Sequence, residues 1–184
     1  MPDDARSITP TSFQRLLGAS FFTLSPSLRA LHGRRGRARY AGRATVVHGH
    51  GLLARAFGRI VGLPPSADDI AVTVDFDDDA AGGETWQRMF GNFPMRSCVR
   101  LRDGKLVERL GPVQLHFSLH PDNGALYWYV DRIRLFGVIP LPASWCAGVN
   151  CRESENAGRY EFLVVATLPI AGPLIRYRGW LEPV

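Results

Sequence analysis

From Ile70 to Leu181 the chain is a succession of short apolar–polar alternations separated by turn residues, and this pattern constrains the fold more than any other feature. Ile70, Val72, Val74 and Phe76 alternate with Ala71, Thr73 and Asp75. Val113, Leu115, Phe117 and Leu119 alternate with Gln114, His116, Ser118 and His120. A period of two sends successive side chains to opposite faces of a strand. Between the runs stand residues 77–83, Gly91-Asn92, Asp103-Gly104, Gly111-Pro112, Pro121-Asp122-Asn123-Gly124 and Asn156-Ala157-Gly158. These are turn formers, and Asp-Gly in particular accepts the positive φ of a tight reverse turn. Strands are therefore expected near 38–49, 70–76, 84–90, 94–102, 105–110, 113–119, 125–135, 149–155, 160–168 and 174–181. No strand–helix–strand rhythm connects them, which excludes a parallel sheet. About ten successive antiparallel strands tend to curl, and closure removes exposed edges. The expected fold is mainly β: a ten-stranded antiparallel meander forming a barrel or curved half-barrel. A flat sheet with helices on one face is the alternative.

Helical signals are concentrated in the first third; beyond it, the irregular apolar stretch from Phe136 to Trp145, with Pro140 and Pro142, reads as a loop with one short turn of helix. Residues 11–33 suggest two short helices, with Thr11 or Ser12 capping the first and Ser25 the second, and Gly33 ending it. Residues 52–63 form a third helix between the first and second strands. Leu52, Leu53, Ala56, Phe57, Ile60 and Val61 make its apolar stripe, with Arg55 and Arg59 facing away. Gly62 and Pro64-Pro65 stop it. The 184 residues suit one domain: a tail over 1–10, a helical cover over 11–35 and a barrel-like core over 38–181.

Composition narrows the function classes. The net charge is +5, but Lys105 is the only lysine. Such a bias toward arginine reflects coding composition rather than a phosphate-binding surface, so no nucleic-acid partner is expected. Arg34, Arg35, Arg37, Arg39 and Arg43 read as a solvated segment leading into the first strand. Asp75, Asp77, Asp78 and Asp79 lack the spacing of a calcium loop and read as a solvated turn. Cys98, Cys146 and Cys151 are odd in number and unlike a disulfide framework or a zinc site. His116 and His120 lie roughly 13 Å apart on one strand face, too far to share a metal. No metal and no cofactor are expected. With no signal peptide and no transmembrane run, the expected location is cytoplasmic. Walker, GxGxxG, GxSxG and HExxH signatures do not occur.

The candidate site rests on polar and aromatic groups sharing strand faces. Trp128, Val130, Arg132 and Arg134 fall on one face of one strand, and Arg176, Arg178 and Trp180 on one face of the last. Pointed inward, with Trp86 and Glu108 contributed by other strands, they would form an apolar cavity with guanidinium groups suited to an amphiphilic anion. The complementary faces, Tyr127, Tyr129, Ile133 and Leu135, and Ile175, Tyr177 and Leu181, are equally apolar and compete for the interior. Glu84, Glu108 and Asp131 each have a second reading, as partners of Arg88, Arg109, Arg132 or Arg134.

Several motifs occur in a familiar order: Gly51-Leu-Leu-Ala-Arg, Gly62-Leu-Pro-Pro, Glu84-Thr-Trp-Gln-Arg-Met-Phe-Gly, Val107-Glu-Arg-Leu-Gly-Pro-Val and Ile175-Arg-Tyr-Arg-Gly-Trp-Leu. The set resembles a bacterial domain family of unknown function over residues 13–181. That family stands alone or is fused C-terminal to saccharopine-dehydrogenase-like Rossmann domains. The resemblance implies a bacterial protein with a possible Rossmann-type dehydrogenase partner, and brings no catalytic residues. The helix after the first strand also makes the meander similar to intracellular fatty-acid-binding barrels. Three functions follow: a non-catalytic binding module for a small hydrophobic or amphiphilic ligand, an isomerase or cyclase using a buried Glu108 or Asp131, and an accessory domain for a dehydrogenase.

Overall fold

The computed structural model describes residues 9–79 and 82–184. The expected N-terminal tail lies mostly outside the described residues, as do Ala80 and Ala81 of the expected turn. Eleven strands follow the alternating runs: β1 (Ala38–His48), β2 (Ala67–Asp78), β3 (Glu84–Phe90), β4 (Phe93–Arg102), β5 (Lys105–Leu110), β6 (Val113–Asp122), β7 (Ala125–Leu135), β8 (Ile139–Pro140), β9 (Val149–Asn156), β10 (Arg159–Leu168) and β11 (Gly172–Pro183). All pairings between them are antiparallel. Successive strands pair from β1 through β8, β9 pairs with β7 and β10, β10 pairs with β11, and β1 pairs with β11. The result is a closed ten-stranded barrel with the two-residue β8 as an extra strand. Asp103, Asn123 and Ala157 take positive φ beside a following glycine, a turn geometry that Asp and Asn favour and that Ala157 adopts without such a preference.

Closure is tightest where β1 meets β11. A Cβ on Gly42 would lie 1.8 Å from the Trp180 carbonyl oxygen, and one on Gly179 would lie 2.2 Å from that of Arg43. Glycine at these two positions lets the backbones approach closely.

Three helices close the two ends. α1 (Ser12–Leu17) begins with a capping box, in which Thr11 Oγ1 accepts from Gln14 N and Gln14 Oε1 accepts from Thr11 N. A 3-10 segment over Gly18–Thr23 leads to α2 (Pro26–Gly33). Ser25 does not cap α2 with its side chain as expected. Its hydroxyl donates to Gly124 O at 2.7 Å, and the carboxylate of Glu155 from β9 accepts from Ser27 N at 2.7 Å instead. That bond holds the Glu155 carboxyl below its usual range. Phe13, Leu28, Leu31 and His32 are almost wholly buried and plug this end of the barrel.

α3 (Leu52–Val61) covers the other end, and its orientation departs from the expected stripe. Ala54 and Gly58 are its buried residues, with Phe57 and Val61 facing the interior beside them. Leu52, Leu53 and Ile60 are exposed. The small residues favour this: a Cβ on Gly58 would lie 2.3 Å from His48 Nε2, so with glycine the imidazole packs directly against the helix backbone. Beyond Tyr129, β7 no longer pairs with β9. The 136–148 segment fills the gap with β8 and a 3-10 turn over Ala143–Trp145, bringing Leu141 and Trp145 over the interior.

The arginine and aspartate clusters, expected as separate solvated segments, meet along the β1–β2 ladder. Arg39 binds Asp75, Arg37 binds Asp77 and Arg43 binds Asp69. Arg34 is largely buried, binds Glu84 at 2.7 Å and lies 4.2 Å over the Phe76 ring. Register places Arg39 directly opposite Asp75 on the adjacent strand, where opposite charges attract. Among the described residues, no helix is long and apolar enough to cross a membrane.

Candidate functional site: a buried cavity inside the barrel

The barrel encloses a cavity of about 370 Å³. A barrel widens with strand number, and eight strands are already enough to hold one small ligand. Val72, Val74, Phe90, Leu115, Ile133 and Phe162 are among the apolar residues of its wall. Phe57 of α3 and Trp145 meet edge-to-face at 6.0 Å across the α3 end.

A small polar group sits within this apolar wall. Arg88 on β3 reaches across β4 to Glu108 on β5, donating from Nη2 to Oε1 at 3.2 Å. Two strand spacings separate β3 from β5, roughly 9.6 Å, a span suited to a long side chain. Ser97 on the intervening strand leaves room and accepts from Arg88 Nη1 at 2.8 Å. The guanidinium also lies 4.9 Å over the Trp86 ring. The Arg88 and Glu108 side chains are only 12% and 14% exposed, and both line the cavity. Burial works against the Arg88 charge, but Glu108, with Tyr177 and Tyr160, offsets it and holds the guanidinium above its ordinary pKa.

A second polar group joins the plug to the wall. Glu153 on β9 is 2% exposed. It accepts from His32 Nε2 at 2.6 Å and from the Tyr160 hydroxyl at 2.7 Å. His32 stacks on Phe13 at 3.9 Å. Burial and the Glu153 charge push the Tyr160 phenol well up, and burial does the same for Tyr177. Both remain hydroxyl donors at neutral pH. Trp128 Nε1 is buried without a hydrogen-bond partner among the described residues.

Cys151 lines the cavity between these groups. Burial, reinforced by the Glu153 and Glu108 charges, pushes its thiol well above the ordinary range. Because the thiolate is the nucleophile, iodoacetamide at pH 8 is expected to modify Cys151 rapidly only after urea unfolding. Peptide mapping by mass spectrometry measures this, and equal rates in native and unfolded protein would mean that the cavity is open to water.

The expected site residues divide between the two faces of the wall. Trp86, Glu108 and Trp128 line the cavity, but Arg132, Arg134, Arg176 and Arg178 do not. On β7 the reason is a bulge. Phe117 pairs with Val130 and His116 with Arg132, leaving Asp131 as an extra residue. The bulge reverses the alternation, so Trp128 and Val130 point in while Arg132 and Arg134 point out and Ile133 becomes the buried residue. Asp131 binds Lys105 at 2.7 Å, away from the cavity. On β11 the competing face won: Ile175, Tyr177 and Leu181 line the interior, while Arg176, Arg178 and Trp180 line an outer groove. His116 on β6 lies near Arg132 and Arg134, and burial together with their charges lowers its pKa.

Arg88 and Glu153 stand apart from the expected set, though both had a signal. Arg88 shares parity with Trp86 and Phe90. Glu153 shares parity with Val149 and Cys151. A charged residue in phase with the apolar face of a strand belongs to the interior side. Among the described residues, no three His, Cys, Asp or Glu side chains group as a metal site.

Comparison with solved structures gives the fold alone. A protein of unknown function from the DUF3598 family of Nostoc punctiforme PCC 73102 aligns with a TM-score of 0.50 and 13% identity, over 80% of this chain. This chain spans 47% of that protein's length. Rv2717c from M. tuberculosis aligns with a TM-score of 0.43 and 12% identity, over 88% of this chain and 99% of its own. No curated protein matches the sequence. A domain family of unknown function matches residues 24–181, and on that match the chain belongs to the DUF4166 family.

Proposed function

We propose that this protein is a non-catalytic binding module that holds a small, mostly apolar molecule inside its barrel. The observation that carries the reading is the cavity of about 370 Å³, whose mostly apolar wall holds the Arg88–Glu108 pair and, nearby, Glu153. Its size falls within the ordinary range of small-molecule sites, roughly 300–1,000 Å³. An unfilled apolar cavity destabilises a fold by roughly 24 cal/mol per Å³. A molecule that fills such apolar space and binds only the folded chain would stabilise the fold.

The polar group defines the ligand's head. A guanidinium carries five N–H donors, and Ser97 and Glu108 accept from two of them. Arg88 is already neutralised by Glu108, and Glu153 adds a second acid nearby, so a further buried anion is disfavoured. An uncharged acceptor such as a carbonyl or ester oxygen suits the site better than the phosphate or carboxylate that several inward arginines would have held.

Native mass spectrometry after gentle purification tests the reading. A lipid-sized adduct is expected on the wild-type chain and its loss on Ala166→Phe, which fills the cavity from β10. Clean apo-protein across several preparations, or equal retention by the variant, would refute it.

An isomerase or cyclase is the second reading, favoured by Glu153, a cavity carboxylate with no arginine partner. Both its oxygens already accept hydrogen bonds, so proton abstraction would first require displacing His32 or Tyr160. A bacterial, cytoplasmic setting and docking on a Rossmann-type dehydrogenase are supported by the motif resemblance alone.

A further inference from the structure

We infer that the α3 end of the barrel is a docking face for an anionic lipid bilayer, through which the cavity would exchange its ligand. The inference rests on the binding reading for its purpose, whereas the contact itself is tested without any ligand. The apolar residues of α3 have different fates. Phe57 and Val61 line the cavity. Leu52, Leu53 and Ile60, on the outer flank of the same stripe, are 76%, 48% and 60% exposed. Neighbouring segments extend the exposed surface. Gly111 packs against the Ile60 and Val61 carbonyls, and the adjoining Pro112 carbonyl accepts from Phe136 N at 2.7 Å. Phe136 and Val138 are 73% and 74% exposed. Beside the start of the helix, Ala171 packs on Gly51 and carries the exposed Ile170 to the same end.

Scattered single exposed hydrophobics are ordinary, but a group around one barrel mouth marks an interaction surface. Charge selects the occupant. α3 has no acidic residue, and its only charged side chains, Arg55 and Arg59, are both exposed. A short helix with exposed leucine and isoleucine beside arginines suits the interface of an anionic membrane. Continuity with the cavity adds the purpose: α3 faces both the proposed lipid surface and the ligand space, so its displacement would open the interior directly to the bilayer.

The experiment is cosedimentation of the full chain with vesicles of phosphatidylcholine alone and of phosphatidylcholine mixed with phosphatidylglycerol. Binding to the mixed vesicles is expected. It should fall about tenfold or more in Leu53→Ser/Ile60→Ser, which withdraws two buried aliphatic groups. It should fall roughly fivefold for each charge removed in Arg55→Gln/Arg59→Gln. Circular dichroism checks that these surface variants fold. Absence of vesicle binding, equal binding to both vesicle types, or binding indifferent to the variants overturns the inference. So does a dimer in light scattering that Leu53→Ser/Ile60→Ser disperses, because a second copy would then cover the face. A ligand retained by a chain that ignores vesicles would sink this inference and leave the binding reading intact.

Discussion

Arg88→Met is expected to lower the unfolding free energy by about 3–5 kcal/mol, because it strands the Glu108 carboxylate in an apolar wall. The pair is well sheltered, at 12% and 14% side-chain exposure, so solvent screening removes little of the penalty. Ser97, itself 1% exposed, also loses the donor that its hydroxyl accepts from. The double variant Arg88→Met/Glu108→Leu should recover most of that loss. Replacing a whole buried ion pair with apolar groups of similar volume is often neutral or stabilising, since both desolvation penalties disappear together. Urea denaturation of the two variants measures this. The comparison also separates fold from function: the double variant should be stable yet lose the adduct in native mass spectrometry. A single variant as stable as the wild type would show that the pair is hydrated. A double variant as damaged as the single would show that the cost is one of packing.

Glu153→Ala should cost a similar amount, about 3–5 kcal/mol, by a different route. Its two oxygens satisfy His32 from α2 and Tyr160 from β10, and both partners are buried. The variant leaves an imidazole and a phenol without acceptors. Because His32 belongs to the plug, the loss should appear as local opening at the N-terminal end before global unfolding. Hydrogen exchange over residues 26–33 is expected to rise relative to the β2–β3 hairpin. A double-mutant cycle of Glu153→Gln with His32→Phe isolates the plug contact, for which a coupling of about 1.5–3 kcal/mol is expected. Additive single effects would mean that the plug is held by Phe13 and the leucines without this bond.

Much of this architecture is legible in the residues because strand period and turn chemistry are local. The alternation over 70–76 and the Asp103-Gly104 turn each specify their element within a few residues. Sites that depended on more distant partners were harder to read. The side chain of Ser25 looked like a cap, but Gly124 lies beside it in the folded chain and takes its hydroxyl. The apolar stripe of α3 was visible, yet Gly58 against His48 favours one part of it turning inward. Trp86 shares parity with Phe90, and Glu108 with Leu106, and both pairs face the interior side in the folded chain. Arg132 and Arg134 shared parity with Trp128, but one bulge at Asp131 reversed it.

The sequence by itself determined the antiparallel meander, the number of barrel strands, the helix after the first strand and the turns. All of these follow from contacts between residues close along the chain. Only the tertiary structure decided which faces enclose the cavity and which arginine lies within it. Those outcomes depend on ladder register, on a bulge that inserts one residue, and on the join of β1 to β11, where residues more than a hundred positions apart meet. A one-residue difference in register exchanges the two faces of a strand. The guanidinium that faces the ligand space is therefore Arg88, while Arg176 and Arg178 stand in the outer groove.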